Sequence, residues 1–226
     1  MNARLPEANR IYTADAIQLL ATWPRHSFDA LVTDPPYGNA TGYGSAKRRI
    51  IGDEHPLVGL QGLAACYRVL KPNSAAFVFT SAQHVGFLEH FVRRYTRFTP
   101  KELLVWDKGS PGFGSVYRRA HENILVLHKG VPRYRARVIS TVIGEPRADT
   151  RLHPHAKPVP LLERLIGLTT EPGDLVLDPF CGIGSTGVAA VNTGRCIVGV
   201  EIDATYASIA RARVAEALDR APPEAA

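Results

Sequence analysis

The stretch Asp174-Leu-Val-Leu-Asp178-Pro-Phe-Cys-Gly-Ile-Gly-Ser-Thr-Gly187 decides the fold. It begins as an apolar run of strand length and continues into a glycine-rich turn that opens a helix. Gly182, Gly184 and Gly187 reproduce in full the spacing of the dinucleotide fingerprint, in which glycines permit a tight turn and close backbone approach to a ligand. Taken alone, that spacing points to a nicotinamide dinucleotide. Glu201 follows Gly182 by 19 residues, at the end of the next apolar run, where a carboxylate can accept both hydrogen bonds of a ribose diol. The pair therefore indicates an adenosine-type ligand and leaves the choice of cofactor open; a tight turn with no ligand is the alternative.

The same pattern extends outward. Apolar runs rich in β-branched and aromatic residues stand at Phe28 to Thr33, Ala75 to Thr80, Glu102 to Trp106, Asn123 to His128 and Cys196 to Val200, and read as buried strands. Helical spacing separates several of them: Leu60, Leu63, Tyr67 and Leu70 share one face, as do Leu88, Phe91, Val92 and Tyr95, and Val159, Leu162 and Ile166. Such alternation predicts an α/β layer fold with a mostly parallel sheet. The runs near 102 and 123 lack a helix between them, which predicts an antiparallel hairpin. Gly38 to Gly52, Gly109 to Arg119 and Gly130 to His153 break the pattern and are candidate functional loops. The last carries Arg133, Arg135, Arg137, Arg147 and Arg151 against only Glu145 and Asp149; a solvated connector is the plain alternative. Residues 219–226 are expected to fray.

With 226 residues and 45% hydrophobic side chains the chain can bury the core of one large domain, 1–226. A formal charge of +6 favours a polyanionic partner without requiring one. Met1 to Asn9 is polar, and no apolar run approaches the roughly 18 residues that span a membrane. Cys66, Cys181 and Cys196 are odd in number and show no Cys-x-x-Cys spacing, which argues against a disulfide framework and a zinc site. The expectation is a protein of the reducing cytoplasm with neither membrane nor metal.

Thr33-Asp34-Pro35-Pro36-Tyr37-Gly38 narrows the ligand. Consecutive prolines hold the backbone extended and remove two amide donors, leaving carbonyl groups free to accept. A dehydrogenase has no use for this. An aromatic amine does, because its lone pair is delocalised into the ring: acceptors from Asp34 and the Pro35 carbonyl would draw on both N–H bonds and restore nucleophilic character. Tyr37 would offer a flat face for an extruded base, worth about 1–3 kcal/mol against an extrusion cost of a few kcal/mol.

Together these motifs resemble the amino-group DNA methyltransferases that use S-adenosylmethionine. Asp34-Pro35-Pro36-Tyr37 looks like the catalytic motif of that family and Asp178-Pro-Phe-Cys-Gly-Ile-Gly184 like its cofactor loop, with the catalytic motif first, as in the β-type order. The resemblance implies a Rossmann-like methyltransferase fold, a twisted sheet of about seven strands with helices on both faces. Tyr12-Thr-Ala-Asp15 resembles the segment that contacts the cofactor adenine, although Asp15 fits a helix N-cap almost as well. His153-Pro-His-Ala-Lys157-Pro158 resembles the element leading into a helix beside the methionine end of the cofactor. Asp107-Lys108 and Tyr117 to Glu122 resemble segments beside the target-base pocket.

The roles implied are these. Asp34, Pro35, Pro36 and Tyr37 hold the base; Asp15, Lys157, Asp178, Pro179, Phe180, Cys181, Gly182, Gly184, Ser185, Thr186, Glu201 and Ile202 hold the cofactor. Lys47, Arg48, Arg49, Tyr117, Arg118, Arg133, Arg135 and Arg137 meet double-stranded DNA, with residues 130–152 as a short target-recognition region. So small a reader suggests a homodimer on a palindromic site. Transfer is direct and in line, with no metal and no covalent intermediate, so Cys181 is not a nucleophile. An aspartate heading the tetrapeptide associates with adenine N6; cytosine N4 is the alternative.

Overall fold

The computed structural model describes residues 5–36, 57–112, 116–148 and 156–221. Its centre is an eight-stranded sheet in the order β1-β8-β7-β2-β3-β5-β4-β6. The strands are β1 (Arg10–Thr13), β2 (Phe28–Thr33), β3 (Leu70–Thr80), β4 (Thr99–Asp107), β5 (His121–Lys129), β6 (Val142–Gly144), β7 (Leu175–Asp178) and β8 (Cys196–Glu201). The run from β1 to β3 is parallel throughout. β5 alone is reversed: it pairs antiparallel with β3 and with β4, and β6 lies parallel to β4 at the edge. The predicted hairpin is thus present as β4 and β5.

Helices cover both faces, as two separate hydrophobic clusters require. α4 (Val159–Gly167), α5 (Ser185–Asn192) and α6 (Ala204–Arg220) pack one face, against Phe77, Phe79, Ile124 and Trp106. α1 (Ala16–Thr22), α2 (Leu57–Val69) and α3 (Val85–Tyr95) pack the other, against Phe28, Leu31, Val78 and Leu127. Central strands buried on both faces are apolar in runs rather than in alternation, which is why β2 and the second half of β3 were legible without a period.

Leu70, whose spacing placed it on the α2 stripe, is instead the first residue of β3. The pairing of β2 with β3 shifts register between Phe28 and Ala30, and this irregularity accommodates Pro72 and Asn73, the latter at φ 60°. β1 and β6 are additional edge strands of four and three residues, too short and too exposed to carry a pattern.

The sheet defines a working rim. Thr13, Glu201, Asp178, Thr33 and Thr80 end parallel strands on the same side of the sheet, where β4 also ends and β5 begins. From the adjacent pair β7 and β2 the chain winds outward in opposite directions, to β8 and β1 on one side and to β3 on the other. Ligands of open α/β sheets bind in the crevice at such a switch point.

Candidate active site

Asp178 ends β7 and is 3% exposed. Its carboxylate accepts from Thr33 Oγ1 on β2 at 2.9 Å and from the Phe180 amide at 3.2 Å. Burial pushes its pKa up to about 6, against hydrogen bonds from Thr186 and Thr33 that pull it down. The Thr33 bond ties the end of β2 to the glycine loop, so the two sequence motifs meet through one contact.

The loop is held from both sides. The Cys181 amide donates to Val200 O at 3.0 Å. Glu201 accepts from the Gly182 amide at 2.8 Å through one carboxylate oxygen and from the Asp203 amide at 2.9 Å through the other. Glu201 thus orders the loop through both of its carboxylate oxygens. Gly184 has φ 78°, and a Cβ there would lie 2.9 Å from that of Ala210 on α6, which leaves room for glycine alone. Pro179, Ser185 and Thr186 are buried around this turn, and Ile202 is 46% exposed on the rim. The Cys181 thiol is buried and raised well above its ordinary pKa by that burial, with Asp178 and Glu201 adding to it; a thiol so disfavoured as thiolate is a poor nucleophile.

Asp15 is the N-cap of α1, its Oδ1 accepting from the amides of Ile17 at 2.8 Å and Gln18 at 3.1 Å. It stands two residues beyond the Thr13–Glu201 pairing of β1 with β8, beside Glu201. Both readings of the residue are thereby compatible with one position.

Asp34 follows β2 directly, and Pro35 is buried. Two glycines of α2 seat the neighbouring motifs. A Cβ on Gly59 would lie 2.5 Å from the Pro36 carbonyl oxygen, and one on Gly62 would lie 2.5 Å from Phe180 Cζ. Gly59 and Gly62 are three apart on one helix face, one under each motif. Phe180, expected on the cofactor, packs its ring on α2 at Gly62. Tyr37, Lys47, Arg48 and Arg49 lie outside the described residues.

Lys157, expected at the methionine end of the cofactor, carries its ammonium to the residue that follows β2. Its Nζ lies 2.5 Å from Asp34 Oδ2 and 3.1 Å from Glu122 Oε2, with its ammonium 5.1 Å from the centre of the Phe79 ring. Burial acts to lower its pKa, but the two carboxylates outweigh it and raise the ammonium above the ordinary lysine value. Glu122 is also 2.5 Å from Lys108. Burial acts to raise its pKa, yet the two ammonium groups hold it at about 2.

The basic segment is divided between the two edges of the sheet. Because β5 runs away from the rim, Gly130 emerges at the opposite edge, beside Asn73. Arg135 there donates its amide to Leu168 O, at 2.9 Å, and pairs with Glu171, just ahead of β7. Arg133 and Arg135 are therefore far from Asp34, and Arg137 is exposed on the stretch returning to β6. Among the described residues of the segment, the later ones reach the working rim: Trp106 Nε1 donates to Glu145 O at 2.7 Å, and Arg147 donates to the carbonyls of Ser110 and Arg119. Tyr117 and Arg118 are on the rim, in the β4–β5 loop, with Tyr117 93% exposed. Among the described residues no helix is long and apolar enough to cross a membrane.

The comparisons agree with this geometry. The family model described as DNA methylase matches residues 28–212. The DNA adenine methyltransferase YhdJ of Escherichia coli (strain K12) is 28% identical over 242 residues, covering 88% of this chain and 80% of that protein. The crystal structure of an M1.HpyAVI-SAM complex superposes with a TM-score of 0.73 at 25% identity, over 91% of this chain and 98% of its own. PvuII DNA methyltransferase, cytosine-N4-specific, gives a TM-score of 0.76 at 18% identity over 96% and 94%, a likeness of fold. A match over most of the sequence, with both motifs brought to one crevice, leaves a single assignment: the chain belongs to the N6/N4 DNA methylase family.

Proposed function

We propose that this methylase is specific for the N6 amine of adenine, presented as a base turned out of double-stranded DNA. The observation that carries the reading is the placement of Asp34 and Pro35 at the end of β2, tied through Thr33 to Asp178. The Asp34 carboxylate and the Pro35 carbonyl accept the two hydrogens of the amine and so raise electron density on its nitrogen. Tyr37 stacks on the base. The aspartate at the head of the tetrapeptide, and the likeness to YhdJ, favour adenine over cytosine N4, which the PvuII fold keeps as the second reading.

The residues of the loop fit S-adenosylmethionine. Asp178 is a buried carboxylate met by neutral donors, which suits the cationic amino end of a methionine moiety. Glu201 keeps acceptors for ribose hydroxyls, and Asp15 stands beside it for the adenine. When bound, the cofactor supplies a methyl group on a sulfonium, an electrophile that needs no metal to activate it. The chain's own part is alignment and preorganised dipoles.

Purified protein incubated with S-adenosylmethionine and unmethylated genomic DNA, followed by nucleoside mass spectrometry, is expected to yield N6-methyladenine. N4-methylcytosine would shift the assignment to the other base. Asp34→Ala is expected to retain cofactor affinity and to lose transfer by orders of magnitude.

A further inference from the structure

Lys108, Glu122, Lys157 and Asp34 alternate in charge along the working rim. Lys108 follows β4, Glu122 is the second residue of β5, and Asp34 follows β2. Between β5 and β2 lies β3, and the Lys157 ammonium crosses it, 5.1 Å from the centre of the Phe79 ring. The resulting contacts are 2.5 Å from Lys108 to Glu122, 3.1 Å from Glu122 to Lys157 and 2.5 Å from Lys157 to Asp34. The side chains of Lys108 and Lys157 are only 12% and 11% exposed, so solvent screens these pairs far less than it screens surface pairs.

Local charge balance does not explain the arrangement. Asp34 is already neutralised by Lys157, and Glu122 by Lys108. The extra link between Glu122 and Lys157 costs desolvation and does something the two separate pairs would not: it fixes where the Lys157 ammonium stands. A lysine stem has four carbons and free rotation at its head. Held by Asp34 alone, it would follow that carboxylate through its rotamers. Held also by Glu122, which is itself anchored by Lys108 beside the Trp106 ring, it becomes a fixed post from which Asp34 Oδ2 takes its orientation.

We propose that Glu122 is a positioning residue for methyl transfer. Acting through Lys157, it locks the Asp34 carboxylate so that Oδ1 faces the target amine. The inference rests on the reading of Asp34 as the acceptor for that amine. In the transfer the N–CH3 bond forms as the S–CH3 bond breaks, the sulfonium becomes a thioether, and the extra proton on nitrogen passes to the Asp34 carboxylate and then to water. Glu122 takes no part in these bond changes.

The decisive experiment compares wild type, Glu122→Gln and the charge-exchanged pair Lys108→Glu/Glu122→Lys in single-turnover methylation of duplex DNA, with KM for cofactor and thermal midpoints measured alongside. Glu122→Gln is expected to lower kcat by about 10–100-fold, the scale of a misplaced catalytic group, with KM for S-adenosylmethionine within about threefold; its melting midpoint falls as well, because two nearly buried ammonium groups lose a partner, so the split of kcat from KM at a temperature where the variant is folded is the readout. The exchanged pair keeps an ion pair between β4 and β5 but sets a cation against Lys157, and is expected to remain as slow. Recovery of kcat in the exchanged pair would mean that the ion pair is merely structural, and kcat within twofold of wild type in Glu122→Gln would equally overturn the proposal. If Glu122→Gln fails to fold, Glu122→Asp decides instead, since it keeps the charge and withdraws it from Lys157: reduced kcat at unchanged KM supports the proposal and unchanged kcat overturns it. Wild-type protein that methylates no base would overturn the functional reading itself, whereas active wild type with an unaffected variant overturns only the role of Glu122.

Discussion

Asp178 is a residue whose function and stability oppose one another. Its carboxyl has an ordinary pKa of 3.8 in the unfolded chain and about 6 in the fold. A raised folded value means that its contribution to stability is fully present below 3.8 and is lost as pH rises through about 6. At pH 8 the cofactor-free protein therefore carries an ionised, buried carboxylate at a net cost. Asp178→Asn is expected to raise the melting temperature at pH 8 by about 2–6 °C, corresponding to on the order of 1–2 kcal/mol, with little gain at pH 5. Affinity for S-adenosylmethionine should fall in the same variant. Calorimetry at the two pH values, with and without cofactor, checks both halves. A variant that melts lower at pH 8 would show that the hydrogen bonds from Thr33 and Phe180 outweigh the desolvation.

At the scale of elements, α2 deserves its two glycines. Replacing an interior helical glycine by alanine ordinarily gains about 1 kcal/mol, but here the new methyl would meet Pro36 O or Phe180 Cζ at 2.5 Å. Steric conflict wins, and it separates the two motifs. Gly59→Ala is expected to lower kcat by about 10–100-fold at nearly constant cofactor affinity; Gly62→Ala is expected to weaken cofactor binding about tenfold, the scale of a modest overpacking cost. Steady-state kinetics and cofactor titration distinguish these outcomes. The contrast also marks what the sequence can convey. Gly182 and Gly184 were legible because strand, turn and helix are contiguous, so their meaning is local. Gly59 and Gly62 were not, because the atoms they accommodate belong to residues 36 and 180. The place of Arg133 and Arg135 was illegible for a related reason: composition located their charge, whereas their position at the edge opposite Asp34 follows from the direction of β5, a property of strand pairing. Glu122 was visible only as part of a family likeness, since its partners Lys108 and Lys157 are brought together by the sheet order.

For the molecule as a whole, charge on the working rim should matter to DNA and charge on the opposite rim should not. Removing Arg118 and Arg119 together is expected to weaken duplex binding across sequences and to reduce the slope of log affinity against log salt by about 2. Removing Arg133 and Arg137 is expected to leave the slope unchanged. Fluorescence anisotropy over a salt series measures both, and an equal effect from the two pairs would place DNA across the entire basic surface. Light scattering on the DNA complex reports whether two copies engage one palindromic site, the arrangement proposed from the small size of the reader.

The reversal of β5 has a further consequence. Because β4 arrives at the working rim and β5 departs from it, the loop joining them begins and ends on the same side of the sheet as the crevice, with both feet fastened by a ladder of paired strands. A segment so tethered can be lengthened or exchanged with the sheet left in place, since each doubling of a flexible loop costs only about 0.6 kcal/mol. The crevice between β2 and β7 and the loop beside it are thus separable in this architecture: the one can stay fixed while the other is rewritten.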